Sequence, residues 1–364
     1  MFDFWNHIPY SNLVSGILAM LTAGFVSYLS IPVIVRIAIQ KGLVDKPNHR
    51  TSHDVSIPLL GGVAIFAGII MGSSLFIPVA DQEPFRYMLA ALVILFFIGQ
   101  IDDIIGISWK KKLVAQIIAA CILVCLGDFR FTTLHGFMGI HEIPAWLGDI
   151  LALLIFILII NAFNLIDGID GLASAVGIMA SFIFGCWLQA IDRYGLAIVA
   201  WTLTGALVPF FFFNVFGTKN KLFMGDTGSL MIGLLMAVFT IAVCEKELPS
   251  DHFMYMRATP SVAIALLIYP LYDILRVITI RLVKRQSLIR ADRNHIHHLF
   301  IDAGFSHRRS TFYILMFNIM AILWAYLMRN QSIIFVGMTL LLGCIAGVAV
   351  IEQVGKRKRQ VRNG

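Results

Sequence analysis

The sequence predicts an all-α integral membrane protein with about eleven transmembrane helices. Of its 364 residues, 59% are hydrophobic and only 13% are charged, and the mean hydropathy is +0.85. Soluble domains carry roughly 25% charged residues, whereas a spanning helix needs roughly 20 apolar residues. Apolar segments that approach this length fill most of the chain: 10–35, 58–79, 87–101, 113–127, 147–165, 172–190, 195–215, 228–244, 260–280, 311–328 and 332–351.

The distribution of Lys and Arg predicts the orientation of these spans. One set of alternate loops, together with the C-terminal tail, holds 21 of these residues, and the other set holds six. Because basic loops remain in the cytoplasm, we expect a periplasmic N-terminus and a cytoplasmic C-terminus. Residues 1–355 then form one polytopic membrane domain, and 356–364 form a basic cytoplasmic tail. The net charge of +7 follows from this topology and from contact with anionic lipid headgroups, so nucleic acid is not an expected partner.

The polar motifs gather on the predicted cytoplasmic face. Five loops on that face carry acids, bases, glycines and histidines, whereas the loops of the other face are ordinary connectors. These five loops are GLVDKPNHRTSHDVSIPLLGG (42–62), IDDIIGISWKKK (101–112), NLIDGIDGLA (164–173), KNKLFMGDTGS (219–229) and IRADRNHIHHLF (289–300). Their convergence predicts an active site at the cytoplasmic membrane surface.

Aspartates at the ends of spans are the first candidates for this site. They are Asp102, Asp103, Asp167, Asp170 and Asp226. A carboxylate at membrane depth is costly and is retained where it faces a cavity, a partner or an ion. Carboxylate and phosphate oxygens are the ligands that Mg²⁺ prefers, so the set predicts magnesium and diphosphate chemistry. Each aspartate alone is also compatible with a helix cap or a helix interface.

Adjacent residues on a helix point in different directions. Asp102 and Asp103 are therefore expected to divide their roles, one facing a metal or substrate and the other pairing with a lysine of 110–112. In MGDTGS, Asp226 stands at the start of the next span, where free N–H groups favour a phosphate or a capping carboxylate. An ordinary N-cap is the alternative. Phe223 is either a stacking partner for a planar base or an interface anchor.

The segment RADRNHIHH (290–298) predicts phosphate binding by histidine and arginine donors. Its histidines are His295, His297 and His298, and Arg293 lies beside them. A zinc site and a merely exposed basic loop are the alternatives.

Two further polar groups remain ambiguous in the sequence. In the first loop, Lys46, Arg50 and His53 either neutralise a lipid phosphate or only set the topology. Asp273 and Arg276 stand three residues apart inside a predicted span, which favours a mutual ion pair; a role for Asp273 in the site is the alternative.

Taken in order, GLVDKPNHRTSH, IDD, NAFNLIDGIDGLA, FMGDTGS and DRNHIHH resemble the polyprenyl-phosphate N-acetylhexosamine-1-phosphate transferases. The resemblance spans roughly residues 40 to 305. DRNHIHH is similar to the branch that uses undecaprenyl phosphate and UDP-GlcNAc. That branch implies a bacterial inner-membrane enzyme that forms undecaprenyl-diphosphate-GlcNAc and UMP with Mg²⁺, or with Mn²⁺ in its place. This is the first membrane step of an O-antigen or enterobacterial common antigen type of polysaccharide, and thus of lipopolysaccharide and cell-envelope biosynthesis.

The resemblance also implies residue roles. Asp226 matches a magnesium ligand, and Asp102, with Asp103 beside it, matches an acid that deprotonates or orients the lipid phosphate; all three are candidate catalytic and metal-binding residues. Asp170 and Phe223 match residues near the uracil, and Asn164 and Asp167 match residues of the nucleotide pocket. The three histidines match a motif at the diphosphate or sugar end. Gln100 departs from the small or apolar residue common in relatives.

Two other functions remain open at this stage. Within the family, the donor is alternatively UDP-MurNAc-pentapeptide or another N-acetylhexosamine derivative. Outside it, an ion-coupled transporter also has many spans and intramembrane acids, although its acids cluster near mid-membrane. The sequence leaves a homo-oligomer open.

Overall fold

The computed structural model describes residues 11–45, 57–246, 248–287 and 295–363. The chain is built from helices, as the sequence predicts. They are α1 (Ser11–Lys41), α2 (Gly61–Phe76), α3 (Gln82–Ile105), α4 (Trp109–Cys125), α5 (Ala145–Ile166), α6 (Leu172–Ala190), α7 (Tyr194–Phe216), α8 (Gly225–Cys244), α9 (Thr259–Leu266), α10 (Ile268–Val283), α11 (Ile296–Asp302), α12 (His307–Leu327) and α13 (Ile333–Asn363).

Two short antiparallel hairpins interrupt this helical pattern, and the sequence did not predict them. Strands β1 (Val44–Asp45) and β2 (Ile57–Pro58) pair before α2, and strands β3 (Thr133–Phe137) and β4 (Ile140–Glu142) pair between α4 and α5. The β3–β4 turn contains left-handed glycines at Gly136 and Gly139. Such short pairings lie below the length at which an alternating pattern is readable.

Within the described residues, eight helices are long and apolar enough to cross a membrane. A ninth span results if α9 and α10, which meet at an angle of 84°, are counted as one broken span. Every predicted apolar segment falls on a helix, but α2 and α4 have only 16 and 17 residues, less than the roughly 20 of a full crossing. The chain is a multi-pass membrane protein, and the expected number of eleven spans is not confirmed.

Helix α8 is the centre of the bundle. All residues of its most apolar stretch are buried, and the helix contacts α2, α3, α5, α6, α7 and α9. A helix that is apolar on all sides belongs in an interior of this kind. The helices around it begin or end near its N-terminus, which therefore gathers their polar ends.

Buried side-chain amides satisfy the backbone where the helices break. At the α9–α10 bend, Asn318 of α12 accepts a hydrogen bond from the Tyr269 N–H (3.2 Å) and donates one to the Leu266 carbonyl (3.1 Å). Asn318 is fully buried. Without water in the bilayer core, groups freed by a helix break need such partners. At the other end of the chain, α13 continues as helix to Asn363 and thus runs through most of the predicted tail.

Candidate active site

The N-terminus of α8 is held by a carboxylate from another helix. Asp103, near the end of α3, accepts hydrogen bonds from the backbone N–H groups of Asp226 (2.7 Å) and Thr227 (3.1 Å) and from the Thr227 hydroxyl (2.6 Å). These N–H groups have no partner inside a helix, and a negative charge beside them is favoured by the helix dipole. Asp103 therefore caps α8, and both of its oxygens are engaged.

Glycines allow the backbones to approach closely at this point. A Cβ atom on Gly99 would lie 2.4 Å from the Cα of Thr227, and one on Gly62 would lie 2.4 Å from the amide nitrogen of Gly228. Gly225 adopts a left-handed φ of +71°, and its Cβ would lie 2.5 Å from Asp103 Oδ2. Larger side chains at these positions would separate α2 and α3 from the start of α8.

Lys112, at the start of α4, joins two of the predicted aspartates. Its ammonium lies 2.5 Å from Asp102 Oδ2 and also donates to Asp226 Oδ2. Asp102 Oδ1 accepts from the Ile107 N–H at 2.7 Å. The expected pairing of one of the two adjacent aspartates with a lysine of 110–112 is confirmed for Asp102. Asp103 instead binds the start of α8, and a contact of either residue with a metal or substrate stays a prediction. Lys112 was only a possible partner in the sequence, and the structure places it at the centre of the site.

Asn164 completes this network from the end of α5. Its side-chain amide donates to Asp226 Oδ1 (2.6 Å) and to Ser229 Oγ (3.0 Å). Gln100 of α3 donates to Thr227 Oγ1 (2.7 Å). The residue that departs from the small or apolar one common in relatives therefore contacts α8. One group therefore contains Asp102, Asp103, Asn164 and Asp226, as the sequence predicted.

Asp167 follows the end of α5 and brings a further carboxyl group to this network. Burial, followed by the charges of Asp226, Asp103 and Asp170, raises the pKa of the Asp167 carboxyl well above its ordinary value. The hydrogen bond from the Gly225 backbone only partly offsets this. The Asp167 carboxyl therefore favours its neutral form beside the other aspartates.

Asp170 belongs to a second, adjoining group. Burial disfavours its charge, but hydrogen bonds from His307 and Lys221 outweigh that effect and hold the pKa of the Asp170 carboxyl below its ordinary value. Lys221 Nζ lies 2.7 Å from Asp170 Oδ2, and His307 Nδ1 lies 3.5 Å from the same oxygen. The half-buried Phe223 ring lies 5.9 Å from Lys221 Nζ. The two residues expected near a base therefore share one lysine.

A buried asparagine that the sequence reasoning missed connects the loops around this second group. Asn214, near the end of α7, accepts from the Gly171 N–H (2.7 Å) and donates to the Leu222 carbonyl (2.8 Å). It is a single amide in the apolar run FFFFNVF, which was the available signal. Asn214 fixes the loop 167–171 relative to the loop before α8.

His295 lies in a buried pair rather than toward the aspartates of α3 and α8. Its Nδ1 lies 2.8 Å from Asp273 Oδ2, and Asp273 Oδ1 accepts from the Ile296 N–H at 2.7 Å. Arg276 instead contacts Glu352 of α13 at 3.2 Å. The expected Asp273–Arg276 pair is therefore wrong, because Asp273 faces the histidine segment and Arg276 faces α13.

His297 is the histidine that meets the loop 167–171. A Cβ atom on Gly168 would lie 2.5 Å from His297 Nε2. Burial, followed by the charges of His298, His295 and His307, lowers the pKa of His297 to about 2. At neutral pH this imidazole is uncharged, so it can offer a neutral N–H rather than the charge-assisted donor expected from the sequence. The His298 ring lies 4.3 Å from that of His297.

Several expected residues lie outside the described part of the chain. They are Lys46, Arg50, His53 and Arg293. Within the described part, no group of three or more His, Cys, Asp or Glu side chains is arranged to hold a metal ion.

Comparisons with known proteins agree with this arrangement. The profile of glycosyl transferase family 4 matches residues 85–244, which run from α3 to the end of α8 and include the Asp102–Lys112–Asp226 network. An undecaprenyl-phosphate alpha-N-acetylglucosaminyl 1-phosphate transferase of Yersinia pestis is 31% identical to this chain, over 76% of the chain and 74% of the relative. The chain belongs to glycosyl transferase family 4. The resemblance to the polyprenyl-phosphate N-acetylhexosamine-1-phosphate transferases is thereby confirmed.

Other relatives of this glycosyl transferase family 4 protein carry similar names. The Escherichia coli enzyme of the same name is 32% identical over 76% of the chain and 73% of the relative. A probable undecaprenyl-phosphate N-acetylglucosaminyl 1-phosphate transferase of Bacillus subtilis is 28% identical over 88% of the chain and 86% of the relative. The similarity thus extends well beyond the matched profile.

Proposed function

We propose that this protein transfers N-acetylglucosamine-1-phosphate from UDP-GlcNAc to undecaprenyl phosphate, giving undecaprenyl-diphosphate-GlcNAc and UMP. The observation that carries the proposal is the meeting of Asp102, Lys112, Asn164 and Asp226 at one helix N-terminus. Both substrates are phosphate esters, and this position combines a fixed ammonium, backbone N–H groups and carboxylates. The names of the relatives supply the sugar and the lipid.

The reaction would be a single displacement. A lipid phosphate oxygen attacks the β-phosphorus of UDP-GlcNAc, and the bond from that phosphorus to UMP breaks. Because the second pKa of a phosphate monoester is about 6, the nucleophile is already anionic at neutral pH and needs no strong base. Catalysis is then mainly alignment and charge neutralisation.

Lys112 would supply the positive charge for the phosphate oxygens. Asp102 holds the ammonium at 2.5 Å and accepts a hydrogen bond from the Ile107 N–H. Asp102 would therefore orient Lys112 and, through Lys112, the lipid phosphate. Asp103 would act through the position of α8, since both of its oxygens accept hydrogen bonds from that helix. We classify Asp103 as a positioning residue.

The donor set fits a magnesium ion. Mg²⁺ binds through one or two carboxylates together with substrate phosphates, and the carboxylates of Asp102 and Asp226 meet at Lys112 beside the start of α8. Each carboxylate oxygen can accept more than one partner, so Asp226 and Asp102 would hold the ion beside their contacts to Lys112 and Asn164. When bound, Mg²⁺ would neutralise diphosphate charge and favour departure of UMP; Mn²⁺ takes similar oxygen ligands.

The second group would bind the nucleotide end of the donor. Phe223 offers a ring for the base, Asp170 offers acceptor oxygens, and the neutral His297 lies against Gly168 between the two groups. Asn214 holds the loop that carries Asp170 and the loop that carries Phe223. The network around Asp226 would then take the diphosphate.

The membrane placement is also a proposal. The loops beside the site carry most of the Lys and Arg, which favours a cytoplasmic site in a bacterial inner membrane. UDP-sugars and the lipid phosphate would meet at that surface. We place the reaction at the first membrane step of a cell-surface polysaccharide of the O-antigen or enterobacterial common antigen type.

A donor panel tests this function. Purified protein receives undecaprenyl phosphate with either UDP-GlcNAc or UDP-MurNAc-pentapeptide, and lipid-linked sugar and released UMP are measured. Transfer from UDP-GlcNAc alone is expected, with one UMP per lipid product. Transfer only from UDP-MurNAc-pentapeptide would retain the mechanism and overturn the donor, and a burst of UMP without acceptor lipid would overturn the single displacement. Ion flux in vesicles that depends on Asp226, with no transfer from either donor, would instead indicate a transporter.

A further inference from the structure

A cavity lies at the opposite end of the bundle from the aspartates. It has a volume of about 600 Å³, within the roughly 300–1,000 Å³ of small-molecule sites. Its walls are the β3–β4 hairpin, the segment that follows α8, and the loop between α12 and α13. Helix α8 has 20 residues, so the cavity lies about 30 Å from the Asp226 network.

Hydrogen bonds between these elements fix the walls of the cavity. Glu245, at the end of α8, accepts from the N–H (2.9 Å) and hydroxyl (2.6 Å) of Thr132 just before β3. The Ala258 N–H donates to the Arg329 carbonyl (2.8 Å), and Ser261 Oγ donates to the Ile333 carbonyl (3.0 Å). The cavity is therefore preformed rather than a gap between loose loops.

The hairpin keeps an unfavourable backbone conformation at the cavity. His135, which lines it, has a left-handed φ of +52°, and its N–H donates to Thr133 Oγ1 (3.0 Å). Residues other than glycine adopt this region only rarely. The His141 ring packs over Gly136, whose Cβ would lie 3.2 Å from it. Both histidines are among the residues that line the cavity.

The charged side chains among the described residues of the lining are basic. Lys246 and Arg257 line the cavity together with His135 and His141, and no carboxylate stands among the described residues that line it. Guanidinium, ammonium and imidazole groups are the usual partners of phosphate oxygens. The lining therefore fits a phosphate group.

Exposed apolar side chains next to the cavity favour a membrane lipid as the source of that phosphate. Met138, at the tip of the hairpin, is 74% exposed, and Phe253, in the segment after α8, is 75% exposed. Helix ends lie at the level of the lipid headgroups, where apolar side chains beside cations suit a bilayer surface.

We propose that this cavity, at the end of the bundle opposite the aspartates, binds the phosphate headgroup of an anionic membrane lipid. The proposal does not depend on the transfer reaction, because it concerns separate residues and a binding event alone. Lys246 and Arg257 carry the recognition, and the two histidines complete the lining.

Lipid binding to purified full-length protein in neutral detergent tests the proposal. Phosphatidylglycerol and phosphatidylcholine are titrated separately and read by native mass spectrometry, and inorganic phosphate is titrated separately and read by the thermal unfolding midpoint. The test variant is Lys246→Gln/Arg257→Gln. The matched control is Arg86→Gln/Arg193→Gln, which removes two exposed charges from the same end of the bundle but outside the cavity.

The expected result is a preference for phosphatidylglycerol that weakens by at least about tenfold in the test variant, since the charge-assisted hydrogen bonds to the phosphate are lost. The control and the charge-conserving variant Lys246→Arg/Arg257→Lys should retain wild-type binding, which separates lost charge from lost folding. If the protein binds inorganic phosphate but no lipid, and the test variant loses this binding, the cavity is a site for free phosphate and the proposed lipid ligand is wrong. Equal lipid and phosphate binding by the test and control variants would overturn the proposal.

Discussion

Replacing Lys112 by glutamine should impair transfer more than any other single change of a lysine near the site. The ammonium contacts both Asp102 and Asp226, and the three side chains are only 19%, 14% and 25% exposed. Removing one preorganised donor that faces developing charge lowers the rate by roughly 100- to 1,000-fold. The ammonium is partly exposed, which weakens its interaction, so kcat/KM should fall by about 30- to 150-fold.

The assay for this change is the initial rate of lipid-linked sugar formation over a range of both substrates. Lys111→Gln is the matched control, because Lys111 is the exposed neighbour of Lys112 on the same helix. Lys112→Arg should recover part of the activity, since the charge returns with a different shape. Activity of Lys112→Gln within about threefold of Lys111→Gln, well below the expected range, would refute the role given to this network.

Four further substitutions test the packing and charge of the site. Gly99→Ala places a Cβ atom 2.4 Å from the Cα of Thr227, so the thermal unfolding midpoint should fall, at a cost of about 1–3 kcal/mol; the midpoint of Gly343→Ala, where nothing lies within 4 Å, should not fall. Asn214→Leu leaves the Gly171 N–H and Leu222 carbonyl unpaired, at about 1–3 kcal/mol each, and unchanged stability would contradict the role given to this amide. In magnesium-free buffer at neutral pH, Asp167→Asn should raise the unfolding midpoint and Asp170→Asn should lower it, because the pKa of Asp167 is raised and that of Asp170 is lowered. The Asp170 contribution should be complete well above the ordinary carboxyl pKa of about 4 and disappear as the pH falls through the lowered pKa; midpoints that shift in the same direction would contradict this assignment.

The sequence predicted the helical class and the main polar group because both depend on strong local signals. Apolar runs locate helices, and the aspartates at their ends are costly enough in a bilayer to indicate a shared site. Asp102, Asn164 and Asp226 do meet as expected. The number of spans was harder to predict, since α2 is a short helix that packs against α8 at Gly62 and against α1 and α7 at Gly68 and Gly72. An apolar run does not reveal such contacts.

The sequence could not show which charged side chains pair with each other. Asp273 and Arg276 have the spacing of an ion pair, yet Asp273 binds His295 and Arg276 binds Glu352. Those partners are 22 and 76 residues away, and only the tertiary fold brings them near. His297 was expected to be a charged donor, but burial makes it neutral. The local sequence does not show whether a histidine of such a short helix is buried.

The most direct test of the central claim is the transfer of label from tritium-labelled UDP-GlcNAc into butanol-extractable lipid. Wild-type protein and Asp226→Asn are compared with undecaprenyl phosphate, with and without Mg²⁺. We expect magnesium-dependent labelling by the wild type and almost none by Asp226→Asn, because Asp226 connects Lys112 with Asn164. Undiminished labelling by a folded Asp226→Asn protein, or labelling that is indifferent to divalent cations, would contradict it.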